Sequence, residues 1–85
     1  MKWEDVRQAF PEQWLLIEAI QAYTNEQNER VLEEITPLKK YSNSPEAMRA
    51  YQTIHEEDPN RELYVLHTSR KRPNIIEKKW VGVRR

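Results

Sequence analysis

Hydrophobic positions change their spacing along the chain, and these changes divide it into predicted elements. Trp3, Val6 and Phe10 follow the three-and-four spacing of a helix face, and Pro11 follows the end of this stretch. The pattern therefore predicts a short helix over residues 3–10. Its apolar side is narrow, and we expect such a helix to dock onto a larger element.

Residues 13–41 fit two interpretations. On the first, 13–35 is largely helical, because its Leu, Glu, Gln and Ala residues are good helix formers and its apolar positions form two neighbouring faces. On the second, 13–23 and 30–41 are the strands of a hairpin around a polar loop, and the first strand is apolar on both faces, as a central strand is. Pro37 ends a helix but is tolerated on an edge strand or at a bulge. The pattern alone does not choose between them.

The following segment carries clear helix signals. Ser44 is the predicted N-cap, Pro45 suits the first helical position, and Glu46 suits the positive end of the helix dipole, so a helix is predicted over 45–57. Its apolar stripe comprises Ala47, Ala50, Tyr51 and Ile54, with Met48 beside it.

After a turn at Asp58-Pro59-Asn60, residues 62–68 read as a strand rich in β-formers. This strand is apolar on both faces for most of its length, which predicts a central place in a sheet. A basic turn follows over 69–74. A further strand through Ile75-Ile76 or Trp80-Val81 is a possibility that the pattern leaves open.

Composition bounds the class of protein. The chain has 85 residues, enough for a single domain spanning 1–85, and it lacks cysteine, so neither disulfides nor thiolate chemistry is available. No apolar run approaches the roughly 18 residues of a membrane span, and the first residues lack the features of a signal peptide. We therefore expect a cytoplasmic protein that does not contact a membrane.

Charge is distributed unevenly, although the formal net charge is zero. Residues 1–69 contain 13 acidic and 7 basic side chains, whereas residues 70–85 contain 7 basic and 1 acidic. A basic end can bind nucleic acid or an acidic partner, and it can also fold back onto its own acidic domain, which we favour. The candidate contacts with a partner or nucleic acid are Arg70, Lys71, Arg72, Lys78, Lys79, Trp80, Arg84 and Arg85.

Candidate catalytic groups are sparse. His55 and His67 are the only histidines, and neither has the ligand spacing that a metal site needs. Thr68 and Ser69 follow His67, but neighbouring strand residues point to opposite faces, which disfavours a nucleophile and base pair. Gly82 is the only glycine, so a phosphate-binding glycine-rich loop is excluded. We expect no catalysis, no cofactor and no metal.

Four segments resemble a family of small uncharacterised bacterial proteins with no established activity. They are Trp3-Glu4-Asp5-Val6-Arg7, residues 11–19 (PEQWLLIEA), residues 61–70 (RELYVLHTSR) and Trp80-Val81-Gly82-Val83-Arg84. The resemblance implies a module in which a Trp-initiated β-hairpin precedes a helix and a strand, and this favours the hairpin interpretation. Members of the family can lie beside a small aspartic-protease-like reading frame, which implies a paired function.

Together these observations predict an α+β fold: a short N-terminal helix, a β-hairpin, a helix, a central strand and a possible C-terminal strand. The sheet would be small, antiparallel or mixed, with a helix packed on one face. The function expected is that of a noncatalytic protein-interaction module, the regulatory half of a bacterial two-protein system, with a homodimer possible. The alternative is a nucleic-acid-binding accessory protein that uses the basic C-terminal segment.

Overall fold

The computed structural model describes residues 1–76, which form two helices and one three-stranded sheet. In chain order the elements are α1 (Trp3–Ala9), β1 (Trp14–Thr24), β2 (Arg30–Tyr41), α2 (Ser44–Glu57) and β3 (Leu63–His67). The predicted α+β fold is confirmed. The hairpin interpretation of residues 13–41 is also confirmed, because β1 and β2 pair antiparallel along nearly their whole length.

The sheet has the order β2-β1-β3, and both pairings are antiparallel. β1 is the central strand, as its two apolar faces predict. β3 is an edge strand, so the prediction that residues 62–68 lie at the centre of the sheet is wrong. β3 pairs only with the first part of β1, from Trp14 opposite His67 to Glu18 opposite Leu63.

Each face of the sheet is covered by a helix, which explains why β3 resembles a central strand. On one face, Leu15 and Ile17 of β1 pack with Trp3 and Val6 of α1 in the main core cluster. The alternate positions of β1 point to the other face, where α2 contacts all three strands and Ala47 is fully buried. Helices above and below bury an edge strand on both faces while leaving its outer backbone uncovered.

The N-cap of α2 differs by one residue from the predicted one. The N-cap of α2 is Asn43, whose side chain accepts a hydrogen bond from the main-chain nitrogen of Glu46 at 3.0 Å, and not Ser44. Asn and Ser are comparable caps, so the pattern Ser-Asn-Ser-Pro does not decide between neighbouring positions. Pro45 lies in the first helical turn, as predicted.

The hairpin contains the irregularities that Pro37 suggested. The pairing of β1 with β2 shifts register between Leu16 and Ile17, next to Pro37, and again around Ile20. Pro37 lies on an edge strand, where the ring nitrogen costs the ladder no donor.

The possible C-terminal strand is reduced, among residues 1–76, to one isolated bridge between Glu29 and Ile76, and Trp80-Val81 lies outside the described residues.

Candidate interaction surfaces

The basic turn after β3 is only partly available to a partner. Arg70 donates from Nη1 to the carbonyl oxygen of Pro73 at 2.8 Å, and Arg72 pairs with Glu29 at 3.3 Å. Lys71 is exposed. The other candidate contacts, Lys78, Lys79, Trp80, Arg84 and Arg85, lie outside the described residues, so the structure tests nothing about them.

Helix α1 holds the same turn against the domain. The indole nitrogen of Trp3 donates to the carbonyl oxygen of Arg70 at 2.9 Å, and Nε of Arg7 donates to that of Thr68 at 3.0 Å. Trp3 is only 7% exposed and belongs to the main core cluster. The first half of the basic segment is therefore part of the folded domain.

The outer edge of β2 is covered by both ends of the described chain. Ile35 donates from its main-chain nitrogen to the carbonyl oxygen of Met1 at 2.8 Å, and the main-chain nitrogen of Met1 donates back to Ile35 at 3.0 Å. Farther along the edge, the main-chain nitrogen of Arg30 donates to the carbonyl oxygen of Ile75 at 2.8 Å. These bonds occupy main-chain groups that would otherwise be open to another strand.

The outer edge of β3 is open along the described residues. Glu62 and Thr68 direct their main-chain groups toward β1, since Ala19 donates to Glu62 and Thr68 donates to Gln13, each at 2.9 Å. Strand alternation then points the main-chain groups of Leu63, Val65 and His67 away from β1. The carbonyl oxygen of His67 accepts from Arg70 at 3.1 Å, whereas those of Leu63 and Val65 have no main-chain partner within residues 1–76.

A shallow apolar groove runs beside this open edge, between α2 and β3. Its lining comprises Met48, Tyr51, Leu63, Tyr64 and Val65, and its volume is about 320 Å³. Met48 is 45% exposed, so its side chain is accessible to a partner. We call this hollow the α2–β3 groove.

Two arginine–glutamate pairs fix the loop that leads into β3. Arg61 bonds Glu18 through two nitrogens, at 3.1 and 2.6 Å, and Arg30 bonds Glu62 through two nitrogens, at 2.8 and 2.9 Å. The hydrogen bonds from Arg61 hold the pKa of Glu18 below its ordinary value, and those from Arg30 lower the pKa of Glu62. Burial raises the pKa of Tyr64, whose hydroxyl donates to Glu62. No local pattern predicts these pairs, because their members lie far apart along the chain.

Three ring side chains form a row across one end of the sheet. Tyr41 and His67 lie directly opposite Trp14 on its two neighbouring strands, so all three point to the α2 face. The rings of Trp14 and His67 meet edge to face, with centroids 5.0 Å apart. Each of the three residues is partly exposed. The hollow beside them has a volume of about 460 Å³ and is also lined by Glu12, Gln13, Lys40 and Ser42.

His67 forms a contact that sequence reasoning disfavoured. Its Nδ1 lies 2.8 Å from the hydroxyl oxygen of Ser69 and also accepts from the main-chain nitrogen of Ser69 at 3.1 Å. Residues two apart share a face, and the turn after β3 brings this pair together. These two contacts fix the orientation of the imidazole ring.

Comparison of the chain with protein-family models, curated proteins and solved structures finds no match in any of the three. The family resemblance noted from the sequence thus stays a prediction. Within residues 1–76, no cluster of three or more His, Cys, Asp or Glu side chains could hold a metal ion, and no helix is long and apolar enough to cross a membrane.

Proposed function

We propose that the protein is a noncatalytic interaction module that binds an extended segment of a partner protein along the open edge of β3. The observation that carries the proposal is the difference between the two sheet edges. The edge at β2 is occupied at Met1 and Ile75, whereas Leu63 and Val65 on β3 direct main-chain donors and acceptors outward. An extended segment can pair with such an edge as an added strand.

The α2–β3 groove supplies the side-chain contacts that strand addition needs. Alternate residues of an added strand point to the α2 face of the sheet, toward the exposed side chain of Met48 and beside Tyr51. Main-chain hydrogen bonds give such complexes affinity, and side-chain pockets give them specificity. We therefore expect the partner segment to have apolar residues at alternate positions.

Charge next to the groove defines the partner further. The last turn of α2 and the residue after it carry Glu56, Glu57 and Asp58, all exposed. Arg61, which follows these acidic residues in the chain, already bonds Glu18 through two nitrogens. This end of the groove therefore favours Lys or Arg beside the apolar positions of the partner segment.

A second copy of this chain is a poorer occupant of the groove. Two antiparallel β3 edges would also place the two α2 helices antiparallel, with Glu46 of one copy near the Glu56 and Glu57 end of the other. Like charges in this arrangement oppose association. The homodimer expected from the sequence thus becomes the competing outcome, and a mass near 10.3 kDa by light scattering at micromolar concentration would exclude it.

The family resemblance suggests where the partner is encoded. If the partner is the product of the neighbouring reading frame, this module is the regulatory half of a bacterial two-protein system acting in the cytoplasm. The basic C-terminal segment would then contribute little to partner binding, because Arg70 and Arg72 already bond within the domain.

A displayed library of ten-residue peptides tests the proposal. Selected peptides should show alternating apolar residues with Lys or Arg at one end, and titration of the isotope-labelled protein should shift the amide signals of Leu63 and Val65 most. Met48→Lys should weaken binding roughly tenfold, since it places a charge in an apolar contact. Thr53→Lys, on the opposite side of α2, is the matched control and should leave affinity nearly unchanged. Peptides that bind equally well to both variants would refute the proposed site.

A further inference from the structure

The row formed by Tyr41, Trp14 and His67 has a different character from the α2–β3 groove. The three rings lie on three adjacent strands in directly paired positions. Neighbouring strands are about 4.8 Å apart, so the row spans roughly 10 Å across the sheet. This span accommodates two stacked or splayed bases of a single-stranded nucleic acid, the arrangement in which aromatic side chains on a sheet receive bases.

The rings are held before any ligand arrives. Trp14 and His67 support each other edge to face, with an interplanar angle of 76°. The hydrogen bond from the main-chain nitrogen of Ser69 to Nδ1 fixes the imidazole of His67 and leaves Nε2 as the protonated nitrogen of the neutral ring. A row of rings fixed in this way loses little conformational entropy when a ligand binds.

A cation beside the row suits the phosphate of a nucleotide. Lys39 has its ammonium 5.6 Å from the ring centroid of Tyr41, and Lys40 lines the hollow. Neither lysine forms a salt bridge within residues 1–76. Oε1 of Gln13 is buried without a hydrogen-bond partner in this part of the chain, and Gln13 lines the same hollow. Lys40 lies opposite Leu15 and points to the α1 face, and Oε1 of Gln13 is buried out of reach of a ligand. The Lys39 ammonium, on the same face as Tyr41, can meet a phosphate.

We infer that the row binds one or two unpaired bases of a single-stranded nucleic acid, with Lys39 on a flanking phosphate. The site is distinct from the basic C-terminal segment that the sequence singled out. Because only Lys39 takes part and Glu12 also lines the hollow, stacking on Trp14 and Tyr41 supplies most of the affinity. Binding is therefore weak and has a shallow dependence on salt.

Fluorescence anisotropy with a labelled eight-nucleotide oligouridine, and with the matching oligodeoxythymidine, tests the inference at low salt. Trp14→Ala and Tyr41→Ser should each lower affinity roughly tenfold, in line with the loss of one stacking contact. Thermal melting shows whether each variant folds. If Trp14→Ala does not fold, Tyr41→Ser alone tests the site. Lys39→Gln should reduce the slope of log affinity against log salt by about 0.7, the value for one phosphate contact. Lys40→Gln is the control and should leave the slope unchanged, because Lys40 points to the opposite face of the sheet.

Two controls separate this site from general attraction to polyanions. The combined change of Lys78, Lys79, Arg84 and Arg85 to Gln should leave affinity within about twofold, and inorganic polyphosphate should compete poorly because it has no bases. Preference for the ribose or the deoxyribose probe assigns the class of nucleic acid, and either preference supports the site. Absence of binding, equal competition by polyphosphate, or loss of binding only on changing the C-terminal residues would each overturn the inference.

Discussion

Met1 and Ile35 exchange two main-chain hydrogen bonds across the outer edge of β2, at 2.8 and 3.0 Å. The pair shields the longer edge of the sheet, where an uncovered strand would invite pairing with other chains. The described chain has no counterpart to it at Leu63 and Val65 on β3. The module therefore presents one protected edge and one edge that is available for recognition.

Amide hydrogen exchange should reveal this asymmetry residue by residue. Ile35 and Arg30 donate to Met1 and Ile75, so we expect their amides to exchange slowly although they lie on an edge strand. In β3, protection should alternate, with Leu66 slow and Val65 fast, because only the former points toward β1. Uniform protection along β3 in the free protein would contradict an open edge.

Neighbouring isoleucines of β1 should differ strongly in their contribution to stability. Ile17 is fully buried and Ile20 is 54% exposed. Ile17→Ala should lower the free energy of unfolding by about 2–5 kcal/mol through lost burial and the cavity left behind. Ile20→Ala should change it by less than about 0.5 kcal/mol. Urea denaturation of both variants measures the difference, and similar losses would contradict the exposed position of Ile20.

The pair of Arg30 and Glu62 should make stability depend on pH. The pKa of Glu62 is lowered in the folded state, mainly by hydrogen bonds from Arg30, so its contribution is present above the unfolded value of about 4.3 and is lost as the pH falls through the lower folded value. Glu62→Gln should lower the free energy of unfolding by about 1–3 kcal/mol at pH 7, because two charge-assisted hydrogen bonds are weakened.

The difference in stability between Glu62→Gln and the unaltered protein should become smaller in acid, where the carboxyl of Glu62 is protonated. Glu33→Gln provides the control, since Glu33 is exposed on β2 and has no salt bridge among residues 1–76. Thermal melting from pH 7 down to pH 3 follows both variants. If the stability loss of Glu62→Gln stays constant over this range, the charge on Glu62 is not the cause of that loss.

Local sequence signals account for most of the fold. Apolar spacing and the Ser-Pro start predict the types of α1, α2 and β3, and their bounds to within one or two residues. For residues 13–41 the pattern left helix and hairpin open, and the family resemblance favoured the hairpin. The place of β3 could not be predicted in the same way. Alternation reports which faces of a strand are buried, and here α1 and α2 bury both faces of an edge strand.

The candidate surfaces depend on tertiary pairing, which a single sequence does not contain. Trp14, Tyr41 and His67 each stand at the end of a predicted strand, but only the register of the sheet places them in one row. Arg30 and Glu62 meet across 32 positions of sequence for the same reason. The charge asymmetry of the chain drew attention to residues 70–85 instead, although Arg70 and Arg72 bond within the domain.

The most direct test of partner binding at the open edge is photo-crosslinking in the native host. A photo-reactive amino acid at Met48, inside the α2–β3 groove, is compared with the same amino acid at Thr53 on the opposite side of α2. We predict a crosslink from position 48 alone, to a segment of another protein with alternating apolar residues and adjacent Lys or Arg. Crosslinks of equal yield from both positions, or from position 48 to a second copy of this chain only, would contradict the account.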